Sequence, residues 1–307
     1  MEFERRFRSE KACRDYVARI RWAKGFTCPR CSHRQGWQTA RGHWRCGKCM
    51  VDSSPTAGTT FHGSHLPLRV WFRAIWWVTN QKSGASALGL QRMLGLGSYR
   101  TAWTCLHKLR RAMVRPGRDS LSGKVEVDEI PVGGVEKENT GHAWRNGKGK
   151  AIVAVAVAKN GEGIARIRLK RIPGTAIADL NRFIKSAVTP GSEVITDGWH
   201  GYNDLKEIGY IHHPTTLRGK GQQASKAVLP GVNKVASLLK RWLLGMHHGA
   251  VSKKHLDYYL DEFTFRFNRR MSASRGMLFH RLIQHAVLLD RIAYETIINS
   301  NSVDQGA

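Results

Sequence analysis

Four of the six cysteines lie in two Cys-x-x-Cys pairs, an arrangement that readily holds a metal ion. The pairs Cys28/Cys31 and Cys46/Cys49 are separated by 14 residues. Each pair presents two thiolates to one ion, and two pairs complete a tetrahedral site with no open coordination position. We therefore predict a structural Zn²⁺ ribbon over about residues 24–52 rather than a disulfide framework. The alternative is four reduced cysteines without metal.

Two aspartates occupy strand-like positions in the second half of the chain. Charged and apolar residues alternate over 124–129 (KVEVDE), which predicts a strand with Glu126 and Asp128 on one face. Residues 193–197 predict a second strand that ends at Asp197. Mg²⁺ prefers carboxylate oxygens, and two such ions can clamp the attacking and leaving oxygens of a phosphoryl transfer. Asp128 and Asp197 are therefore candidate catalytic ligands. The alternative for Asp128 is a turn cap or a solvated residue.

The hydrophobic pattern after residue 124 predicts the elements that must position these aspartates. In chain order these are strands at 124–129, 151–158 and 164–172, a helix at 175–188, a strand at 193–198, a short helix around Leu205, a strand at 210–216 and a helix at 232–245. The order β-β-β-α-β-α-β-α is that of the RNase H-like fold. In that topology the fourth strand lies beside the first, so Asp128 and Asp197 are expected at neighbouring strand ends.

A third ligand is expected on the helix after the fifth strand, yet no carboxylate occurs between Glu207 and Asp257. The polar candidates in this window are Gln222, Gln223, Asn233, His247 and His248. Asn233 is the best placed, because it lies 36 residues after Asp197 near the start of the long helix. Its amide oxygen can bind Mg²⁺ or hold a metal-bound water. Lys240 lies two helical turns further on the same face and can reach a phosphate. The alternatives are a helix N-cap for Asn233 and a simple backbone-phosphate contact for Lys240.

The segment between the ribbon and the first strand resembles a helix pair that reads DNA. Residues 53–63 are rich in Ser, Thr, Gly and Pro and predict a linker, and residues 66–78 predict a Trp-rich core helix. A short helix at 86–94, a glycine turn and a helix at 98–114 then form a helix-turn-helix pattern. The candidate DNA contacts here are Arg92, Arg100, Lys108, Arg110 and Arg111. The alternative is a plain helical bundle with a solvated basic face.

Charge points to the class of partner. The 307 residues include 50 Lys and Arg against 23 Asp and Glu, a formal net charge of +27. Such an excess disfavours an ordinary metabolic enzyme and favours nucleic acid as the partner. The charged amino terminus does not resemble a secretion signal, and the Trp-rich run is too short to span a bilayer. We therefore expect a cytoplasmic protein with no membrane partner.

Taken together, several segments resemble the zinc-ribbon insertion-sequence transposases, the ISXO-like group of the DDE superfamily. The segments are the Cys₄ ribbon, VEVDEIPVGG at 125–134, VITDGWHGY at 194–202 and PGVNKVASLLKRWLLGMHHGAVSKKHLDYYLDEFTFRFNRR at 230–270. The last is the most specific, and the resemblance covers all but about the last dozen residues. In this group the third catalytic position is Asn, His or Glu, followed by Lys. Those roles map onto Asp128, Asp197, Asn233 and Lys240.

The resemblance implies Mg²⁺- or Mn²⁺-dependent cleavage at the ends of a mobile element and attack of the freed 3′-hydroxyl on target DNA. Asp128 would bridge two metals, Asp197 would hold one, Asn233 would complete the other and Lys240 would steady a phosphate. Glu126 and Glu129 are expected near these ligands without binding metal. The implied partners are double-stranded DNA, as terminal inverted repeats and target, and further copies of the chain in a homo-oligomer.

Further DNA contacts are expected outside the helix pair, at Arg145, Lys148, Arg241, Arg266, Arg269 and Arg270. The loop at 133–150 is equally consistent with a solvated hairpin. The chain is thus an α/β (α+β) protein, divided into an N-terminal region at 1–60, a helical module at 61–118, an RNase H-like domain at 119–295 and a disordered tail at 296–307. Two alternative functions stay open: a DNA-binding protein without activity, either decayed or domesticated, and a nuclease of the same fold that cuts without joining.

Overall fold

The computed structural model describes residues 2–115, 117–133, 150–215, 228–247 and 251–299. These residues form two compact units, one made of 2–115 with 272–299 and the other lying between 117 and 271. The division differs from the predicted one, which placed 272–295 in the catalytic domain. That segment belongs to the first unit because its long helix packs against the helices of residues 10–21, 68–80 and 99–112.

The elements of the described residues are as follows. The helices are α1 (Glu2–Arg6), α2 (Glu10–Arg21), α3 (Leu68–Asn80), α4 (Ala87–Leu94), α5 (Tyr99–Ala112), α6 (Ile177–Ala187), α7 (Pro230–His247), α8 (Leu256–Asn268), α9 (Arg275–Leu288) and α10 (Tyr294–Asn299). The strands are β1 (Gly36–Gln38), β2 (Trp44–Cys46), β3 (Asp52–Ser53), β4 (Lys124–Val132), β5 (Ala151–Asn160), β6 (Gly163–Ile172), β7 (Glu193–Thr196) and β8 (Ile211–Pro214). Short 3₁₀ helices cover His200–Leu205 and Lys253–His255.

An aromatic cluster forms the core of the first unit. The ring of Phe7 lies 4.8 Å from that of Phe72, 5.1 Å from that of Tyr16 and 5.4 Å from that of Phe279. Aromatic pairs at these separations stabilise a core beyond the area they bury. Phe279 comes from α9, so the carboxyl-terminal part of the chain completes a core that begins at the amino terminus. Helix α10 also replaces part of the tail predicted to be disordered, and residues 300–307 lie outside the described residues.

The segment predicted as a linker is packed instead. Thr60 and Phe61 are buried, and the backbone N–H of Thr60 donates to the carbonyl of Ala286 in α9. The guanidinium of Arg21 donates to the carbonyl oxygen of Pro55 at 2.8 Å and also to those of Ser54 and Ala57. The segment still connects the ribbon to α3, and it is packed because the side chain of Arg21 satisfies backbone carbonyls that no helix or sheet pairs.

The predicted helix pair is present. Ser86 caps α4 by accepting a hydrogen bond from the N–H of Gly89, and Gly95 ends the helix in a left-handed conformation with φ of 62°. A residue with a side chain is strained there, which explains the glycine. Helix α5 begins after Ser98, and the two helices pack through buried side chains that include Leu90 and Leu106.

The second unit is built on a mixed sheet with helices on both faces. Among the described residues the strand order is β6-β5-β4-β7-β8, with β4 antiparallel to β5 and parallel to β7. This is the RNase H-like order that the sequence predicts. The central strands β4 and β5 are buried on both sides: one face packs against α6, and the other packs against α7 and α8. None of the described helices has both the length and the apolar character that a bilayer span requires.

The hydrogen bond between Tyr16 and His280 makes the stability of the first unit depend on pH. The hydroxyl of Tyr16 lies 2.6 Å from Nδ1 of His280. Burial, with help from Arg6 and Arg281, lowers the pKa of His280. The unfolded chain therefore takes up a proton first, near its usual pKa of about 6.5, so stability falls as the pH drops below that value.

We expect the thermal midpoint of the first unit to fall between about pH 7.5 and pH 5.5, and His280→Gln to reduce this dependence. Glutamine can still accept from Tyr16 but does not titrate. The exposed His65 provides the control variant, His65→Gln. Thermal unfolding followed by tryptophan fluorescence across this pH range measures the effect. Identical pH slopes for wild type and His280→Gln would contradict the assignment.

Candidate metal centres and nucleic-acid interface

The four predicted zinc ligands form one cluster. Their sulfurs all lie within 4.8 Å of one another, with 3.6 Å between Cys28 and Cys49 and 3.6 Å between Cys31 and Cys46. A tetrahedral Zn²⁺ with Zn–S bonds of about 2.3 Å places its sulfurs about 3.8 Å apart. The donor set and its spacing therefore fit a zinc ion bound by four thiolates.

Two copies of the same turn create this cluster. The N–H of Ser32 donates to the carbonyl of Cys28, and the N–H of Met50 donates to the carbonyl of Cys46. Ser32 and Met50 both have positive φ, of 57° and 56°. Each Cys-x-x-Cys pair thus curls back on itself and turns both thiols to the same side.

Backbone groups and aromatic rings enclose the cysteines. The N–H groups of Cys49 and Lys48 point at Cys46 and lower the pKa of its thiol to about 6, which favours the thiolate that a metal requires. Cys46 and Cys28 are buried, and Phe26 stacks on Trp44 at 5.5 Å beside them. Because the four sulfurs fill the coordination shell, this centre is structural.

The register of the central strands brings Asp128 and Asp197 to the same edge of the sheet. The parallel ladder of β4 with β7 ends at the pair Glu126 and Ile195. Asp128 lies two residues beyond that pair on β4, and Asp197 lies two residues beyond it, directly after β7 ends at Thr196. Paired strands are spaced about 4.8 Å apart. Oδ1 of Asp197 accepts from the N–H of Trp199 at 2.9 Å, and the positive φ of Gly198 turns the chain away. Both aspartates are half-buried.

The glutamates on either side of Asp128 point in different directions. Glu126 shares the face of Asp128, as predicted, and its Oε2 accepts from the N–H of Val232 in α7 at 2.9 Å. Glu129 points to the opposite face, where its Oε2 accepts from the hydroxyl of Tyr202 at 2.7 Å. Burial and the charge of Glu129 raise the pKa of Tyr202 well above its usual value. The charges of Asp128 and Asp197 also act on Tyr202, so the expectation that Glu129 lies near the predicted metal ligands without binding metal stays a prediction.

Asn233 lies in the first turn of α7, on the helix end that contacts Glu126. Its side chain is half-buried, and its backbone N–H donates to the carbonyl of Leu229 at 2.9 Å. The helix begins at Pro230, so Asn233 is not its N-cap and that alternative is wrong. Lys240 is exposed two turns later on the same helix.

Among the described residues, no third acidic residue forms a compact cluster with the aspartate pair. In the described part of the chain, the four cysteines are the only group of three or more His, Cys, Asp or Glu residues with ligand atoms within 4.8 Å of one another. Asn233, on the helix whose first turn contacts Glu126, is a neutral amide rather than a third acid.

The predicted DNA contacts of the helical module differ in their exposure to solvent. Arg92, Arg100 and Arg111 are exposed, and the guanidinium of Arg100 lies 4.1 Å from the ring centre of Tyr294 in α10. Lys108 is half-buried, which lowers its pKa. Arg110 was wrongly assigned: it is buried, and its guanidinium donates to the carbonyl of Ala85 at 2.9 Å. That bond holds α5 against the start of α4.

Two of the predicted contacts in the second unit also have structural roles. Arg266 is only 15% exposed and pairs with the buried Glu262 at 2.8 Å, so it is not free to face DNA. Arg270 stacks on Phe267 and donates to carbonyls of Phe267 and β6, which ties the end of α8 to the sheet. Arg269 lies over the ring of Phe265, and Arg241 is exposed on α7. Arg145 and Lys148 lie outside the described residues.

Two family models match the chain. Residues 8–51 match the transposase zinc-ribbon domain, and residues 120–268 match the ISXO2-like transposase domain. The chain belongs to the zinc-ribbon ISXO2-like transposases. The second match spans nearly the whole second unit. The first begins well before the predicted ribbon, in agreement with a hydrogen bond from Arg14 of α2 to the carbonyl of Arg41.

A curated relative and a solved structure were also found. "Uncharacterized protein in transposable element ISH50" of Halobacterium salinarum is 27% identical over 278 residues, spanning 85% of this chain and 91% of the relative. A chain of the simian T-cell lymphotropic virus intasome in complex with PP2A regulatory subunit B56 gamma is 12% identical and covers 64% of this transposase and 71% of its own length. Its TM-score of 0.33 is too low to establish a shared fold.

We expect the transposase to purify with about one zinc per chain, and Cys46→Ser to lose it and unfold the ribbon, because metal binding and folding are coupled in such sites. Elemental analysis gives the metal content, and near-ultraviolet circular dichroism reports the packing of Phe26 and Trp44. Cys105→Ala, at a buried cysteine outside the cluster, is the control and should keep its zinc. Full zinc content in Cys46→Ser would exclude the cluster as the binding site.

Proposed function

We propose that this transposase cleaves DNA at the ends of an insertion sequence and joins the freed 3′-hydroxyl to target DNA in a Mg²⁺- or Mn²⁺-dependent reaction. The observation that supports the proposal is the parallel ladder of β4 and β7, which ends two residues before Asp128 and Asp197, together with the bond from Glu126 to the first turn of α7. Family membership supports the reaction class. The donor set of two carboxylates and one amide fits hard divalent cations.

In this proposal Asp128 and Asp197 hold the cations and Asn233 supplies the third protein ligand. When bound, the cations neutralise charge on the scissile phosphate and activate the attacking oxygen. First a water attacks the phosphorus and the 3′-oxygen of the element leaves as a hydroxyl. That hydroxyl then attacks a target phosphodiester and displaces its 3′-oxygen. Each step exchanges one P–O bond for another, so the protein only has to position the strands and balance charge.

The exposed face of α7 is the proposed path of the DNA backbone near the reacting atoms. Lys240 and Arg241 project from it, and Lys234, which the sequence analysis missed, is exposed one residue after Asn233. The first turn of α7 contains no acidic residue that would repel a phosphate. The helix pair α4–α5 and the zinc ribbon would recognise the terminal inverted repeats. A homo-oligomer would bring two element ends together.

A strand-transfer assay with element-end duplexes and Mg²⁺ tests the chemistry. We expect Asp128→Asn and Asp197→Asn each to reduce cleavage and joining by about 100-fold or more, because each removes charge stabilisation from the transition state. Glu162→Gln removes a carboxylate at an exposed turn of the same unit and should remain active. Gel-resolved cleavage and joining products provide the measurement.

The same assay separates the alternatives. Wild-type protein that binds the duplex but neither cuts nor joins would be an inactive DNA-binding protein. Protein that cuts without joining would be a nuclease, and the transposition proposal would then fail. Full activity in Asp128→Asn would remove that residue from the site while leaving family membership intact.

Salt dependence tests the proposed DNA path. Each neutralised phosphate releases counterions, so log affinity should fall with log salt by about 0.9 per contact on duplex DNA. We expect Lys240→Ala and Arg241→Ala each to flatten this slope by about 0.9. Lys185→Ala, on α6 at the opposite face of the sheet, should leave it unchanged. Fluorescence anisotropy at several salt concentrations measures the slope, and an unaltered slope in both α7 variants would exclude that face.

A further inference from the structure

Glu126 is a buried carboxylate at the junction of β4 and α7. It is 3% exposed, its Oε2 accepts from the N–H of Val232 at 2.9 Å, and its Oε1 lies 3.4 Å from the ammonium of Lys159. Buried carboxylates are unfavourable unless charge and hydrogen bonds compensate them, and here both oxygens have partners. The carboxylate is therefore fully engaged within the protein and is not a further metal ligand.

The helix backbone lies directly on this carboxylate. A Cβ added to Gly231 would lie 2.7 Å from Oε2 of Glu126 and 3.1 Å from the side chain of Val157. Any residue larger than glycine at 231 would have to move the first turn of α7 or the glutamate. The position of the first turn of α7 is thus fixed both by the hydrogen bond to Glu126 and by the close approach of Gly231 to the glutamate.

The contact links the groups proposed to bind metal. Glu126 belongs to the central strand, where it pairs with Val157 of β5 and Ile195 of β7, and it precedes Asp128 by two residues on the same face. Its hydrogen-bond donor, Val232, directly precedes Asn233. One side chain therefore connects the strand of Asp128 to the residue next to Asn233.

An amide ligand needs such a connection more than a carboxylate does. Asn233 carries no charge, so it has no long-range attraction that would draw it towards a cation, and its contribution depends on being held at the right distance. The first turn of α7 has no acidic residue of its own to interact with its N–H groups. Glu126 supplies that interaction from the sheet, where negative charge near a helix amino terminus is favourable. Lys159 balances its charge.

We propose that Glu126 is a positioning residue that holds the first turn of α7, and with it Asn233, at a fixed distance from Asp128 and Asp197. This inference rests on the proposed function of those three residues. It assigns the glutamate of the VEVDE segment a role through hydrogen bonding and packing, with no contact to substrate or metal.

The test compares Glu126→Ala, Glu126→Gln and wild type in the full chain. We expect Glu126→Ala to raise the Mg²⁺ concentration for half-maximal strand transfer by about 10-fold, as loss of groups that support metal ligands commonly does, with much of the rate recovered at high Mg²⁺. Glu126→Gln keeps an oxygen that can accept from Val232 and should lie closer to wild type. DNA affinity without divalent metal should be unchanged in both.

Leu243→Ala provides the matched control for simple destabilisation. Leu243 is buried near the other end of α7, so its truncation should lower the thermal midpoint without moving the Mg²⁺ half-saturation point. A Mg²⁺ curve for Glu126→Ala that coincides with wild type would overturn the proposal, as would an equal shift in Leu243→Ala.

Gly231→Ala tests the same contact from the helix side. Its added Cβ should displace the turn and raise the Mg²⁺ requirement although Glu126 is intact. In Glu126→Ala/Gly231→Ala the space left by the glutamate accommodates the methyl group, so the double variant should be no worse than Glu126→Ala alone. Additive defects would show that the two residues act independently and would contradict the proposal.

Mn²⁺ binding, measured by electron paramagnetic resonance on the protein–DNA complex, separates this inference from the function on which it rests. Wild-type protein that binds Mn²⁺ through Asp128 but joins no strands would refute the proposed reaction, and weaker Mn²⁺ binding by Glu126→Ala would still support the positioning role. Active wild-type protein with equal Mn²⁺ affinity in Glu126→Ala would refute the positioning role alone.

Discussion

The parallel pairing of β4 with β7 is the constraint on which the second unit depends. Further hydrogen bonds stabilise the start of this pairing. The N–H of Glu193 donates to the carbonyl of Gly123, and the N–H of Leu121 donates to the carbonyl of Ala187 at the end of α6. A shift of one residue would move every side chain of a strand to the other face. Beyond Glu126 the ladder with β7 ends while β4 continues to Val132 alongside β5, and Asp128 lies in that stretch.

Because successive side chains of β4 point to opposite faces of the sheet, Glu126, Asp128 and Glu129 have different surroundings. Glu126 points towards α7 and binds its first turn, and Glu129 points the other way and binds Tyr202 in the 3₁₀ helix that follows Asp197. Asp128 lies between them at the sheet edge. The two glutamates thus brace the segments that carry Asn233 and Asp197, one from each face of the same strand.

Much of this arrangement could be predicted from local pattern, and some of it could not. The apolar run of β5 and the spacing of the paired cysteines are patterns of only a few residues, and each is typical of one structure. The sheet order and the cysteine cluster were therefore predicted correctly. The roles of Arg110 and Arg266 were not, because counting charge does not reveal a partner such as the carbonyl of Ala85 or the buried Glu262. The packing of residues 53–63 could not be predicted either, because it depends on Arg21, which is distant in sequence.

The placement of α9 has a consequence for synthesis on the ribosome. Phe279 completes the aromatic core with Phe7, Tyr16 and Phe72, yet it is translated after the whole second unit. The rings of Phe7, Tyr16 and Phe72 therefore lack this partner until α9 has been synthesised. A nascent chain arrested near residue 271 would carry an incomplete apolar core, the kind of surface that chaperones recognise. Only a product that includes α9 can bury it.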